Sequence, residues 1–125
     1  MLPNLQALDL RSGYITLLVG IETLLHLVYL DIGNTTVETL EQLRGSPSLR
    51  YLNIDRCHQL TSVSVLASCS SLEILCIDEE SKVRLTDWAS LVECKTFTLI
   101  KWENWFDEMT AKQVLTRSLF PKTCL

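Results

Sequence analysis

Cys57 stands beside His58, and a thiol next to an imidazole is the pairing from which a nucleophilic thiolate is made. A thiol enzyme would also need a group to orient the base and a pocket around both, and the sequence supplies neither motif. Residues Cys57, His58, Cys69, Cys76 and Cys94 have the right atoms for a metal, but their gaps match no zinc-binding spacing. Gly13, Gly20, Gly33 and Gly45 are isolated, so no glycine-rich loop is available to cradle a phosphate. Cys124 is second from the end, where a prenylation box would need it fourth. Lys82 and Arg84, the one close basic pair in the long 78–85 loop, lie among Asp78, Glu79, Glu80 and Asp87 and read as part of a solvated loop. These residues predict no catalysis, no cofactor and no metal.

The whole-chain properties narrow the classes further. In 125 residues there is room for one small domain. A hydrophobic share of 47% with 21% charged residues is the balance of a chain that buries a core. Eleven basic against fifteen acidic residues leave a net charge of -4, which argues against a nucleic-acid partner. The most apolar stretch, 15–27, is broken by Glu22 and His26 and is too short to cross a bilayer, so no membrane partner is expected. Five cysteines form an odd set with no compact disulfide framework, which points to reduced thiols and the cytoplasm. Secretion of a truncated surface protein would instead make Asn34-Thr35-Thr36 a glycosylation sequon.

What organises the chain is a repeat. The block apolar-x-x-apolar-x-apolar occurs at Leu5, Leu8, Leu10; at Leu27, Leu30, Ile32; at Leu49, Leu52, Ile54; at Leu72, Leu75, Ile77; and, degenerately, at Phe97, Ile100, Trp102. The starts are 22, 22, 23 and 25 residues apart. Between blocks run apolar triplets at every third position: Ile15, Leu18, Ile21; Val37, Leu40, Leu43; Leu60, Val63, Leu66; and Leu85, Trp88, Leu91. Each triplet ends six residues before the next block, so the length variation is confined to the segment between block and triplet. Alternation in the block predicts a short strand with two side chains turned to one side. A spacing of three predicts one turn of 3₁₀ or α-helix with one buried face. Neither element can close a core alone, whereas stacked copies bury a continuous one.

The segments LPNLQALDL, LLHLVYLDIGN, SPSLRYLNIDRC and CSSLEILCIDE resemble leucine-rich repeats, over roughly residues 2–104. The resemblance implies an α/β solenoid, a right-handed superhelix with a parallel concave sheet and short helical or 3₁₀ returns on the convex side. The repeat length is similar to that of the intracellular short-repeat type. It places an inward Asn or Cys three positions after the third apolar residue of the block, where Cys57 fits and Gly13, Thr35 and Glu80 do not. There a thiol packs and bonds the turn, and Asn34 stands one position away as a substitute for the missing asparagine. Cys69 and Cys94 share a phase three residues before a block, which makes them neighbours across one turn, as buried free thiols or a regulatory disulfide.

Pro3 and Pro47 hold the same phase, so the chain is expected to open inside a repeat, as a fragment of a longer array, with an exposed first strand prone to self-association. After residue 104 the repeat fades into a 105–125 segment expected to form a capping helix and tail, begun by Asp107 and ended by Pro121. Trp102, Trp105 and Phe106 are expected to seal the last repeat.

Strands in register would stack the side chains between the leucines into three columns on the concave face. They are Ala7, Tyr29, Tyr51, Ile74, Leu99; Asp9, Asp31, Asn53, Cys76, Lys101; and Arg11, Gly33, Asp55, Asp78, Glu103. Tyr29 and Tyr51 offer rigid amphipathic area beside acidic positions at Asp31, Asp55 and Asp78, with Asn53 between them. Asp9 beside Asp31, and Asp55 beside Asp78 and Glu103, set like charges on adjacent strands. These six residues, Tyr29, Asp31, Tyr51, Asn53, Asp55 and Asp78, are the candidate contacts for a protein partner carrying a basic segment. The expected function is a noncatalytic protein-interaction module. The alternatives are a recognition segment of a larger receptor or ubiquitin-ligase adaptor and, further off, a thiol enzyme using Cys57 and His58.

Overall fold

Each Leu-x-Leu or Leu-x-Ile block becomes a strand because its alternating side chains bury one face, and the short run between turns leaves no length for a helix. The computed structural model describes residues 4–78, 87, 91 and 98–101. Expectations for Glu80, Lys82, Arg84, Cys94, Phe97, Trp102, Glu103, Cys124 and the 105–125 cap lie outside the described residues. Five strands, β1 (Ala7–Asp9), β2 (Tyr29–Asp31), β3 (Tyr51–Asn53), β4 (Ile74–Ile77) and β5 (Thr98–Lys101), pair in parallel in chain order. Three 3₁₀ turns, Ile21–Thr23, Glu41–Leu43 and Ser64–Ser68, separate the first four strands. Among the described residues no helix is long and apolar enough to cross a membrane.

The register through β4 follows the sequence repeat. Leu30 pairs with Leu8 and Leu52, and Leu52 pairs with Leu75. Leu30, Leu52 and Leu75 are at most 1% exposed, and the flanking block residues Leu27, Leu49, Leu72, Ile32, Ile54 and Ile77 join them in one core. The triplets face the same core: Leu18, Val37, Leu40, Leu43, Leu60, Val63 and Leu66 are buried, and Ile15 and Ile21 pack against the cluster. Every third apolar residue is therefore buried because the returning segment is wound at three residues per turn, or extended just before it, over the leucine rows.

The fifth strand corrects the expected phase by one residue. Ile74 pairs with Thr98, Leu75 with Leu99 and Cys76 with Ile100, so Thr98 and Ile100 take the column positions expected for Leu99 and Lys101. The run Phe97-Thr98-Leu99-Ile100 does not alternate cleanly, and with a side-chain period of two its pattern leaves the register open.

Each of the first three strands ends in the same turn. Ser12, Asn34 and Arg56, spaced 22 apart, have left-handed backbones with φ of 61°, 57° and 61°. The Ser12 N–H donates to the Gly33 carbonyl at 3.0 Å and that of Asn34 to the Asp55 carbonyl at 2.7 Å. At the third turn the Arg56 N–H donates to the Asp78 carboxylate at 3.3 Å instead.

Candidate functional site

The sheet face opposite the leucine core carries the residues that the sequence marks for recognition, but the structure divides their roles. Tyr29 and Tyr51 pair in register and their rings stack, with centroids 4.5 Å apart and planes 3° from parallel. Tyr51 lies between Tyr29 and the buried Ile74 and is 0% exposed, so it is an interior residue of the face and not a free anchor. Tyr29 is partly exposed and is the accessible ring of the pair. Burial pushes its hydroxyl up to about 12, assisted by Asp31 and Asp9. Both tyrosines are thus neutral donors throughout the physiological range.

The second column is a ladder of turn-forming side chains. Asp9 Oδ1 accepts the Arg11 N–H at 3.1 Å, Asp31 Oδ1 that of Gly33 at 2.9 Å, and Asn53 Oδ1 that of Asp55 at 2.8 Å. The same bond to the amide two residues on is made in three successive strands, which is the local chemistry that Asp and Asn bring to turns. Asp31 and Asn53 are each 2% exposed, and a side-chain hydrogen bond joins them. They hold up the face and leave little for a partner to touch. A Cβ at Gly33 would come within 3.1 Å of Asp31 Oδ1 and 3.2 Å of the Asn53 amide nitrogen, so the ladder needs glycine's missing side chain there. Asn53→Ala removes the acceptor for a buried N–H, and we expect a loss of about 1 to 2 kcal/mol in chemical denaturation.

The expected repulsion between Asp9 and Asp31 is bridged. The Arg11 guanidinium lies 2.9 Å from Asp9 Oδ2 and 3.5 Å from Asp31 Oδ2. Burial still raises the Asp31 carboxyl, against the pull of the Gly33 and Asn53 hydrogen bonds.

Asp55 is the position without such relief. It is 6% exposed, its Oδ1 is buried with no hydrogen-bond partner, and its Oδ2 is 3.7 Å from the Arg56 Nε. Burial first, and the neighbouring Asp78 and Asp31 after it, push its carboxyl up to about 6, while Arg56 and His58 pull the other way. Asp78, partly exposed, is tied to the chain by the Arg56 N–H. The repulsion expected between Asp55 and Asp78 is therefore present.

Cys57 occupies the inward turn position and is 0% exposed. Its Sγ donates to the Ile32 carbonyl at 3.0 Å, and the Thr35 hydroxyl donates to that carbonyl at 2.7 Å and lies 3.7 Å from the thiol. Thr35 takes the ladder position expected for Asn34, whose exposed amide reaches Ser12 Oγ at 3.2 Å. The Thr35 hydroxyl closes its own turn on the Ile32 carbonyl, and the Cys57 thiol makes the bond from the next repeat to that same carbonyl. Burial pushes the Cys57 thiol up, away from the thiolate that nucleophilic chemistry requires. Slow alkylation of Cys57 in the native state is expected at neutral pH, with rapid labelling only after denaturation. Cys69 makes a second thiol-to-carbonyl bond, to Leu43 at 3.2 Å. The sequence does not mark this bond, since an aliphatic neighbour's carbonyl carries no signature.

Among the described residues no group of three or more His, Cys, Asp or Glu could hold a metal ion. Neither the protein-family models nor the curated proteins compared with the chain match it. Away from the sheet face, Tyr14, Leu17, Val19 and Leu25 are exposed, and a shallow cleft of about 130 Å³ lies between the first two 3₁₀ turns, lined by Leu24, Leu25, Leu43 and Pro47 among others.

Proposed function

We propose that the chain is a leucine-rich-repeat solenoid that serves as a noncatalytic protein-interaction module, binding a basic segment of a partner on the tyrosine-bearing sheet face. The observation that carries this reading is that the sheet face and the turn that follows it hold both an accessible aromatic, Tyr29, and an acidic position that is not fully compensated, Asp55, whose carboxyl burial and Asp78 raise. The in-register parallel strands at a 22- to 23-residue period through β4 support the solenoid. The curved sheet would then be the concave side. An open sheet offers broad contact area, which supports the recognition reading. Buried thiols at Cys57, Cys69 and Cys76 with no disulfide among the described residues support a reducing compartment such as the cytoplasm. Self-association through the outer edge of β1 belongs to the same reading, since β1 pairs with β2 alone among the described strands.

The test is a binding screen with peptides that carry Arg or Lys beside an aliphatic residue. Tyr29→Ala should weaken the selected peptide about 10-fold or more, chiefly by faster dissociation, as expected of an aromatic anchor. Normal binding by both Tyr29→Ala and Asp78→Asn would move the contact surface elsewhere, to the side that carries Leu17, Val19 and Leu25.

A further inference from the structure

Arg56 and Asp55 form an unusual neighbouring pair. The Asp55 carboxylate is more than nine-tenths buried, and one of its oxygens has no hydrogen-bond partner. Its other oxygen, Oδ2, lies 3.7 Å from the Arg56 guanidinium, beyond hydrogen-bond length, and the Arg56 side chain is 60% exposed. Arg56 itself has a left-handed backbone, the conformation in which a long side chain is least at home. By contrast, Arg11, in the column of Asp55, sits 2.9 Å from its acidic partner Asp9.

Resting on the interaction reading above, we propose that Arg56 is a loose internal stand-in for the partner's cation, displaced when an ammonium or guanidinium group docks between Asp55 and Asp78. A buried carboxylate with one oxygen lacking a donor is expensive to maintain, and a cation bound closely at Oδ2 offsets its charge. Displacing Arg56 forfeits little, because an exposed ion pair at this separation contributes little. Among the described residues, the groups that face Asp55 are Asp31 on β2, Cys76 on β4, Asp78 after β4, and Arg56 and His58 in its own turn. Burial, Asp78 and Asp31 together outweigh Arg56 and His58 and raise the Asp55 carboxyl, so a better-placed cation would relieve it. A proton competes for the same place, since the Asp55 carboxyl sits at about 6. Docking therefore strengthens as pH rises through that value.

The experiment titrates the full chain by calorimetry with an arginine- and leucine-containing octapeptide, taken from the screen above, at pH 5.0 and 7.5. Affinity at pH 7.5 should exceed that at pH 5.0 by about 10-fold, the size expected when one charge partner is switched off. Asp55→Asn should bind weakly at both pH values, and Arg56→Ala should bind more tightly than wild type. Unchanged or weaker binding by Arg56→Ala overturns the stand-in role. If Tyr29→Ala loses the peptide while Asp55→Asn keeps both affinity and pH dependence, the interaction face stands and this inference fails. If neither variant alters binding, both fail. Circular dichroism of each variant confirms that the fold is intact, and Asp78→Asn supplies a second loss of charge that leaves the Asp55 turn in place.

Discussion

Leu52→Ala should lower the urea midpoint sharply, with a loss of about 2 to 5 kcal/mol. Leu52 is 0% exposed at the middle strand and is paired on both sides, with Leu30 and Leu75. Truncation removes the burial of three methylene-sized groups and leaves a void that these neighbours cannot close without moving their own strands. A small domain has only about 5 to 15 kcal/mol in total, so the variant approaches the limit of folding. An unchanged midpoint would mean that the leucine rows do not form one core. The exposed Leu25, changed to Ala, is the control and should shift stability by less than about 0.5 kcal/mol.

Asp55→Asn should act in the opposite direction. The folded carboxyl titrates at about 6 against an ordinary value of 3.8, so the native state holds its proton more tightly than the unfolded chain does. The stability tied to this proton is fully present below about pH 3.8 and is lost as pH rises through about 6. At pH 7.5 the ionised group is expected to destabilise the fold by on the order of 1 to 2 kcal/mol, one unit of pKa corresponding to about 1.4 kcal/mol before solvent screening reduces it. The amide cannot ionise. Asp55→Asn should therefore be more stable than wild type by that amount at pH 7.5 and nearly equal to it at pH 3.5, in parallel denaturation series. Asp31, whose carboxyl is also raised by burial, leaves a residual slope in the same direction. A variant with the wild-type pH profile would show that Asp55 is not the strained group. Better folding combined with poorer peptide binding is the signature of an acidic position kept for recognition.

Much of this was legible because the relevant signals are periodic. The leucines at 8, 30, 52 and 75 fix which face is buried, and the register of four strands follows from their phase. The three-residue spacing of Val37, Leu40 and Leu43 predicts a tight return, and a 3₁₀ turn is found at Glu41–Leu43. Periodicity fails at β5, where consecutive apolar residues offer two equivalent phases. The candidate face was legible in membership and not in role. A column places Asp31 and Asn53 beside the tyrosines, but composition does not say that a carboxylate is consumed by its own turn two residues on. Nor does it show that Arg11 reaches across to Asp31, or that Tyr51 is roofed by Tyr29. Those outcomes depend on side-chain direction between strands, which a one-dimensional pattern does not contain.

The chain-ordered pairing of the strands also sets the course of unfolding. Each new pairing from β1 through β4 closes a loop of 22 or 23 residues, so every step of strand addition carries nearly the same closure entropy. No pairing among the described strands skips a neighbour, and none has to wait for a distant segment. Growth from any adjacent pair is then equivalent in topology, and local stability is decided by how well each side chain layer packs. The fully buried β3 is flanked by partners on both sides, while β1 has one partner among the described strands. Amide hydrogen exchange should be slowest at Leu52 and its strand neighbours and quicken toward β1, so that the array opens from its margin while the tyrosine stack at its centre remains closed.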